Sequence, residues 1–63
     1  MFTLKIETDN AAFGDTLPEH CDEVSRILGN VQGQLANGTW AGYLMDSNGN
    51  TVGEFQLSPD SDD

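Results

Sequence analysis

Apolar and polar residues alternate from Phe2 to Thr8. Phe2, Leu4 and Ile6 fall on one side, and Thr3, Lys5 and Glu7 on the other, which is the period of a half-buried strand. Asp9-Asn10 ends the pattern with a turn signal, and Ala11, Ala12 and Phe13 fall in a connection where Phe13 is expected to plug the edge of the core. The period then changes. Cys21, Val24, Ile27, Leu28, Val31 and Leu35 recur at spacings of three and four, the apolar face of a helix about four turns long. Thr16 precedes that face as an N-cap, and Glu19 stands where a capping box needs it. Pro18 lies in the first turn, where its missing N–H does no harm. Gly38, after Asn37, predicts a left-handed stop. Gly29 and Gly33 sit inside the helix, each at a cost of about 1 kcal/mol against Ala. Close packing on the sheet or simple tolerance is the expected reason, with close approach of a partner as the alternative.

Thr39–Met45 and Thr51–Leu57 flank Asp46-Ser47-Asn48-Gly49-Asn50. Asn-Gly is a strong hairpin signal because both residues tolerate positive φ. An even-length loop places Trp40, Gly42 and Leu44 on one face with Gly53, Phe55 and Leu57. Ala41, Tyr43, Met45, Val52, Glu54 and Gln56 then share the other, and a one-residue slip would scramble that sorting. The fold class is α+β: a three-stranded antiparallel sheet with one helix packed on one face, in the order β-α-β-β. The expected core is Phe2, Leu4, Ile6, Cys21, Val24, Ile27, Leu28, Val31, Leu35, Trp40, Leu44, Phe55 and Leu57. Residues 1–58 form one domain, and 59–63 read as a disordered acidic tail with no apolar content.

Composition sharpens this picture in two ways. Sixty-three residues make a single small core, of a size often stapled by disulfides, metal or a second subunit. One cysteine, Cys21, allows no internal disulfide, and a single histidine, His20, rules out a Cys/His zinc site. A second subunit or the partner itself is therefore the expected staple. The second feature is charge. Eleven acids face only Lys5 and Arg26, a formal charge of −9. Such a field repels nucleic acid and anionic membrane and attracts basic surfaces. No signal segment and no apolar run of about 20 residues appears, so a cytoplasmic location is expected.

No arrangement with catalytic chemistry emerges. Asp46-Ser47-Asn48-Gly49-Asn50 looks like the opening of a calcium loop, but Thr51 stands where that loop needs Gly and Leu57 where it needs Glu. His20 and Cys21 are adjacent on a helix, so their side chains diverge. A three-strand, one-helix domain leaves little room for a pocket of about 300 Å³. An enzyme, a cofactor and direct nucleic-acid binding are not expected. What remains is surface. Asp15, Glu19, Asp22 and Glu23 gather at the helix start, with Glu7 and Glu54 on the sheet. Carboxylates at fixed spacing can stand in for phosphates before a protein that senses mainly negative charge. Tyr43 is a candidate anchor, since aromatic side chains dominate interface energetics.

The opening Leu4-Lys5-Ile6-Glu7-Thr8-Asp9-Asn10-Ala11-Ala12-Phe13, the middle Glu23-Val24-Ser25-Arg26-Ile27-Leu28 and the closing stretch Asp46–Phe55 resemble small acidic proteins of bacteriophages and prophages. The resemblance covers most of the chain and carries no catalytic motif. It implies a host-takeover or anti-defence factor: an inhibitor that mimics nucleic-acid charge and occupies the basic surface of a host protein, such as a CRISPR–Cas component or a restriction enzyme. The location would then be the host-cell cytoplasm. The alternative is an accessory homodimer that uses the sheet face of Tyr43, Met45 and Val52, with the acidity serving solubility.

Overall fold

The computed structural model describes residues 1–59. The elements are strand β1 (Phe2–Ile6), a single 3-10 turn (Ala11–Phe13), helix α1 (Leu17–Ala36), strand β2 (Ala41–Met45) and strand β3 (Thr51–Leu57). The sheet is antiparallel with the order β1-β3-β2. The α+β architecture is the one the hydrophobic pattern predicts. The expected tail lies, beyond Pro59, outside the described residues.

Local chemistry sets the helix limits. Thr16 Oγ1 accepts the Glu19 N–H at 3.3 Å. Glu19 Oε1 in turn accepts the N–H groups of Asp15 (2.8 Å) and Thr16 (3.1 Å). These bonds satisfy donors that the first helical turn would otherwise leave open. At the far end Asn37 is the C-cap and Gly38 takes φ +89°, a conformation that costs glycine nothing.

Leu4, Phe55 and Gly42 align across the three strands, as do Ile6, Gly53 and Leu44. Opposite residues of an antiparallel pair share a face, so these rows look toward α1. The centre of the core is Phe13, Ile27, Val31, Leu44, Val52 and Phe55, with Leu4, Ile6, Ala12, Val24 and Leu35 packed around it. Phe13, expected at the edge, is wholly buried (0 % exposed). The 3-10 turn tucks it under the helix start. Asn10 Oδ1 caps that turn at the Ala12 N–H, 2.9 Å away.

The structure corrects several expectations. Val52, placed on the outer face by alternation, is buried. Leu44 pairs with Gly53 but Met45 pairs with Thr51, so Val52 is the extra residue of a β-bulge, and a bulge resets which way the strand points. Phe2, Leu57 and Trp40 are exposed. Phe2 opposes Leu57, and the Leu57 N–H bonds the Trp40 carbonyl at 2.7 Å, so the three form the last row of the sheet. Gln34 already lies over Gly42 and α1 stops at Ala36, which leaves that last row beyond the helix end. Cys21 and Leu28 are exposed as well, because the apolar stripe of α1 is wider than the surface that a three-stranded sheet offers it. Gly29 and Gly33 pack on nothing: a Cβ at either would meet no atom within 4 Å. Finally, Asn48 keeps negative φ and only Gly49 is positive (+85°). The hairpin therefore turns through Asp46–Gly49, closed by the Gly49 N–H on the Asp46 carbonyl at 3.0 Å.

Candidate binding surface

Two carboxylates that the sequence leaves on the surface are structural. Asp46 is 4 % exposed. Its Oδ1 accepts the N–H groups of Asn48 and Asn50, both at 2.9 Å, and its Oδ2 accepts the Asn10 side-chain amide at 2.7 Å. It holds the hairpin turn and ties it to the segment after β1. Glu23 is 8 % exposed and accepts from the Ser47 N–H (2.8 Å) and from Arg26 Nη2 (2.8 Å) and Nε (3.2 Å). The same Arg26 Nη2 reaches the Met45 carbonyl at 3.1 Å. This clasp fastens the middle of α1 to the hairpin turn and fixes which side of the helix faces the sheet. A signal for Asp46 was present in the sequence, since an Asp that opens a turn commonly accepts the N–H two residues on. None marked Glu23, whose partner Ser47 is 24 residues away.

Both groups titrate accordingly. The Arg26 guanidinium, helped by the Ser47 N–H, holds Glu23 below the ordinary value of 4.5. Burial pushes Asp46 up, but the Asn50 N–H, the Asn10 amide and the Asn48 N–H together outweigh it, and the net shift is downward from 3.8. A carboxyl with a depressed folded-state value contributes stability above its unfolded value and loses it as pH falls through the folded one. Asp46→Asn should therefore destabilise the chain by a constant amount at pH above about 5, and by a shrinking amount below the ordinary Asp value. Urea titrations of both proteins at several pH values measure that gap. A gap that ignores pH would assign the role of Asp46 to its hydrogen bonds and not to its charge.

The expected acidic patch is divided. Glu23 is withdrawn from it by burial, and Glu19 spends its oxygen on the helix cap, whose backbone N–H bonds, from Asp15 first, lower its pKa. Asp15 and Asp22 stay exposed at the helix start. Glu7 and Glu54 stay exposed on the sheet, where they line a shallow groove with Lys5 and Tyr43. Among the described residues Glu7, Asp9, Asp15, Asp22 and Glu54 form no salt bridge, and the Glu23–Arg26 pair is the one such bridge. The free carboxylates thus lie on two sides of the molecule and do not make a single row.

No family model, curated protein or solved structure matches the chain. The character of the surface therefore rests on these residues themselves. Beside the free acids stand three exposed apolar groups. Phe2, Trp40 and Leu57 overhang the end of the helix; Tyr43 and Met45 lie on the outer sheet face; Leu17 and Leu28 project from α1. Trp40 is 60 % exposed and Leu17 78 %. Between Leu17 and Leu28 runs an open groove of about 460 Å³, so the small domain carries more concave surface than its size suggests. Among the described residues no cluster of His, Cys, Asp and Glu could hold a metal ion, and no helix is long and apolar enough to cross a membrane.

Proposed function

We propose that this chain acts by binding, and that it covers the basic surface of a partner protein. One observation carries the reading. Of its two cationic side chains, Arg26 is consumed by Glu23, while Glu7, Asp9, Asp15, Asp22 and Glu54 present free carboxylates to solvent. The resulting field attracts cationic surfaces and speeds encounter with them. The exposed apolar side chains beside these acids supply area that a partner can cover, and patches of this kind commonly mark interaction sites. The resemblance to small phage proteins supports a nucleic-acid-binding host defence protein as the partner, blocked in the groove that otherwise holds phosphates. Asp15, Asp22, Glu7 and Glu54 make the contacts in this reading, with Tyr43 as anchor. The homodimer reading has lost one of its three face residues, because Val52 belongs to the core.

The test is capture of host protein by the tagged chain, followed by affinity measurements on the captured protein at low and moderate salt. A basic protein is expected, released by nucleic acid and by salt. Asp15→Asn and Asp22→Asn should each weaken binding by up to about five-fold. An affinity that is indifferent to salt and to both substitutions would remove the charge-based reading.

A further inference from the structure

The two edges of the sheet differ. β2 ends the sheet on one side. The Leu57 N–H bonds the Trp40 carbonyl at 2.7 Å, and the Asp46 N–H bonds the Asn50 carbonyl at 2.9 Å, so both Trp40 and Asp46 turn their backbone groups toward β3. Alternation then turns those of Ala41, Tyr43 and Met45 outward. Arg26 Nη2 takes the Met45 carbonyl, while Ala41 and Tyr43 have no strand on that side. An extended backbone meets such a row bond for bond.

The other edge, β1, is guarded. It carries Lys5, and natural edge strands use charge, Pro and bulges to turn further strands away. Residues 39–45 hold no charge and no Pro, and the bulged residue of the hairpin, Val52, lies on β3. Arg26, Asn30 and Gln34 of α1 line a shallow groove of about 290 Å³ beside the β2 edge. The carboxylate that lines it, Asp46, is buried and bonded within the chain. None of the free carboxylates Glu7, Asp9, Asp15, Asp22 and Glu54 lines it, so a second copy can approach here although the whole molecule is acidic. The segment also complements itself. An antiparallel pair centred on Gly42 sets glycine against glycine at the two-fold axis. It sets Ala41 against Tyr43 on the outer face and Trp40 against Leu44 on the helix face. The small residues near the axis let the backbones close, and Trp40, exposed in the single chain, gains a neighbour.

We propose that two copies of this chain pair through β2 into one continuous sheet. The contact is not the outer face of Tyr43 and Met45, and it goes beyond the reading of an acidic binder. It leaves the free carboxylates of each copy exposed and doubles their number on one particle.

Sedimentation equilibrium from micromolar to millimolar protein reads the mass, and amide exchange followed by nuclear magnetic resonance at the two extremes reads the edge. The mass should double with concentration. Exchange at Ala41 and Tyr43 should slow about ten-fold or more in the dimer, while Leu4 and Ile6, whose N–H groups face outward on the guarded edge, keep their rates. Both copies carry net negative charge, so salt should strengthen the pair by screening, the reverse of its expected effect on a basic partner. Ala41 is the first residue of β2, a position where a strand tolerates Pro. Ala41→Pro removes an N–H that serves the second copy alone, and should weaken the dimer about ten-fold or more with the circular dichroism spectrum kept. The exchange result in the unaltered chain holds whether or not that variant folds. A single-chain mass at every concentration would overturn the proposal. So would a dimer in which Ala41 and Tyr43 exchange as fast as in the dilute chain, or one that a folded Ala41→Pro leaves unchanged. A chain that stays single, with Ala41 and Tyr43 protected by a captured host protein, would give the edge to a foreign strand and overturn self-pairing.

Discussion

Phe13→Ala should remove at least a third of the folding stability of this chain. Phe13 is the most completely buried side chain among the described residues and belongs to the small core. Phe-to-Ala changes in cores cost about 3–5 kcal/mol, part of it lost transfer energy and part the cavity left behind. A domain of this length has a total stability of only about 3–9 kcal/mol at roughly 0.05–0.15 kcal/mol per residue. The single change thus removes between a third and all of it. The site has little freedom to collapse, since the turn that carries Phe13 is pinned by Asn10 on one side and by Gly14 at φ +77° on the other. Urea unfolding followed by far-ultraviolet circular dichroism measures the effect. Leu17→Ala is the matched control: it too deletes apolar atoms, but from an exposed position, and should change stability by less than about 0.5 kcal/mol. Similar midpoints for the two variants would mean that the core does not centre on Phe13.

Gly53→Ala should separate β1 from the sheet although it adds only one methyl group. The Cβ would overlap the Lys5 carbonyl oxygen, and would stand 2.9 Å from the Lys5 carbonyl carbon and 3.0 Å from the Ile6 Cα. These are backbone atoms, so no side-chain rotation relieves the overlap; β1 must move. Overpacking typically costs about 1–3 kcal/mol and more where the neighbour is rigid. Here the displaced strand also carries Leu4 and Ile6 away from the core. We expect a lowered unfolding midpoint and accelerated amide exchange in residues 2–6. Gly29→Ala makes the opposite comparison, because its Cβ enters open space within a helix, where Ala is favoured over Gly by about 1 kcal/mol. Native-like exchange in Gly53→Ala would show that the strands tolerate a wider spacing than this close approach implies.

The contrast between these two glycines shows what the sequence could disclose. Both appear as glycines inside regular elements; only the three-dimensional neighbour of each tells them apart. Element order, the Thr16–Glu19 cap and the Gly38 stop were legible because each depends on residues a few positions apart. The pairing parity of Leu44 and Phe55 was legible because alternation propagates along strands. Val52 was not, since a bulge breaks that alternation where Asp46 and its amide partners shape the turn. Exposure of Leu28 and Cys21 was not either. Periodicity gives the width of an apolar stripe but not which part of it meets the sheet, and here the Glu23–Arg26–Ser47 clasp decides that rotation. For the same reason the acidic patch was legible in its charge and illegible in its accessibility. Glu23 and Asp22 are neighbours in the chain, yet one is locked against a turn and the other faces water.

The strand order has a consequence for how the molecule comes into being. Among the described residues β3 is the last element in order and the middle strand of the sheet, and Phe2 finds its partner 55 residues later, at Leu57. Until β3 has been made, β1 has no strand of this sheet to pair with, and the apolar face of α1 has no complete sheet to cover it. Neither can rest in a native half-structure, because loop closure must come before the distant contacts reward it. A ribosome that stalls anywhere before β3 holds a chain with exposed apolar segments and nothing folded. Release of the last strand then allows the sheet, the core and the clasp to form together in one step.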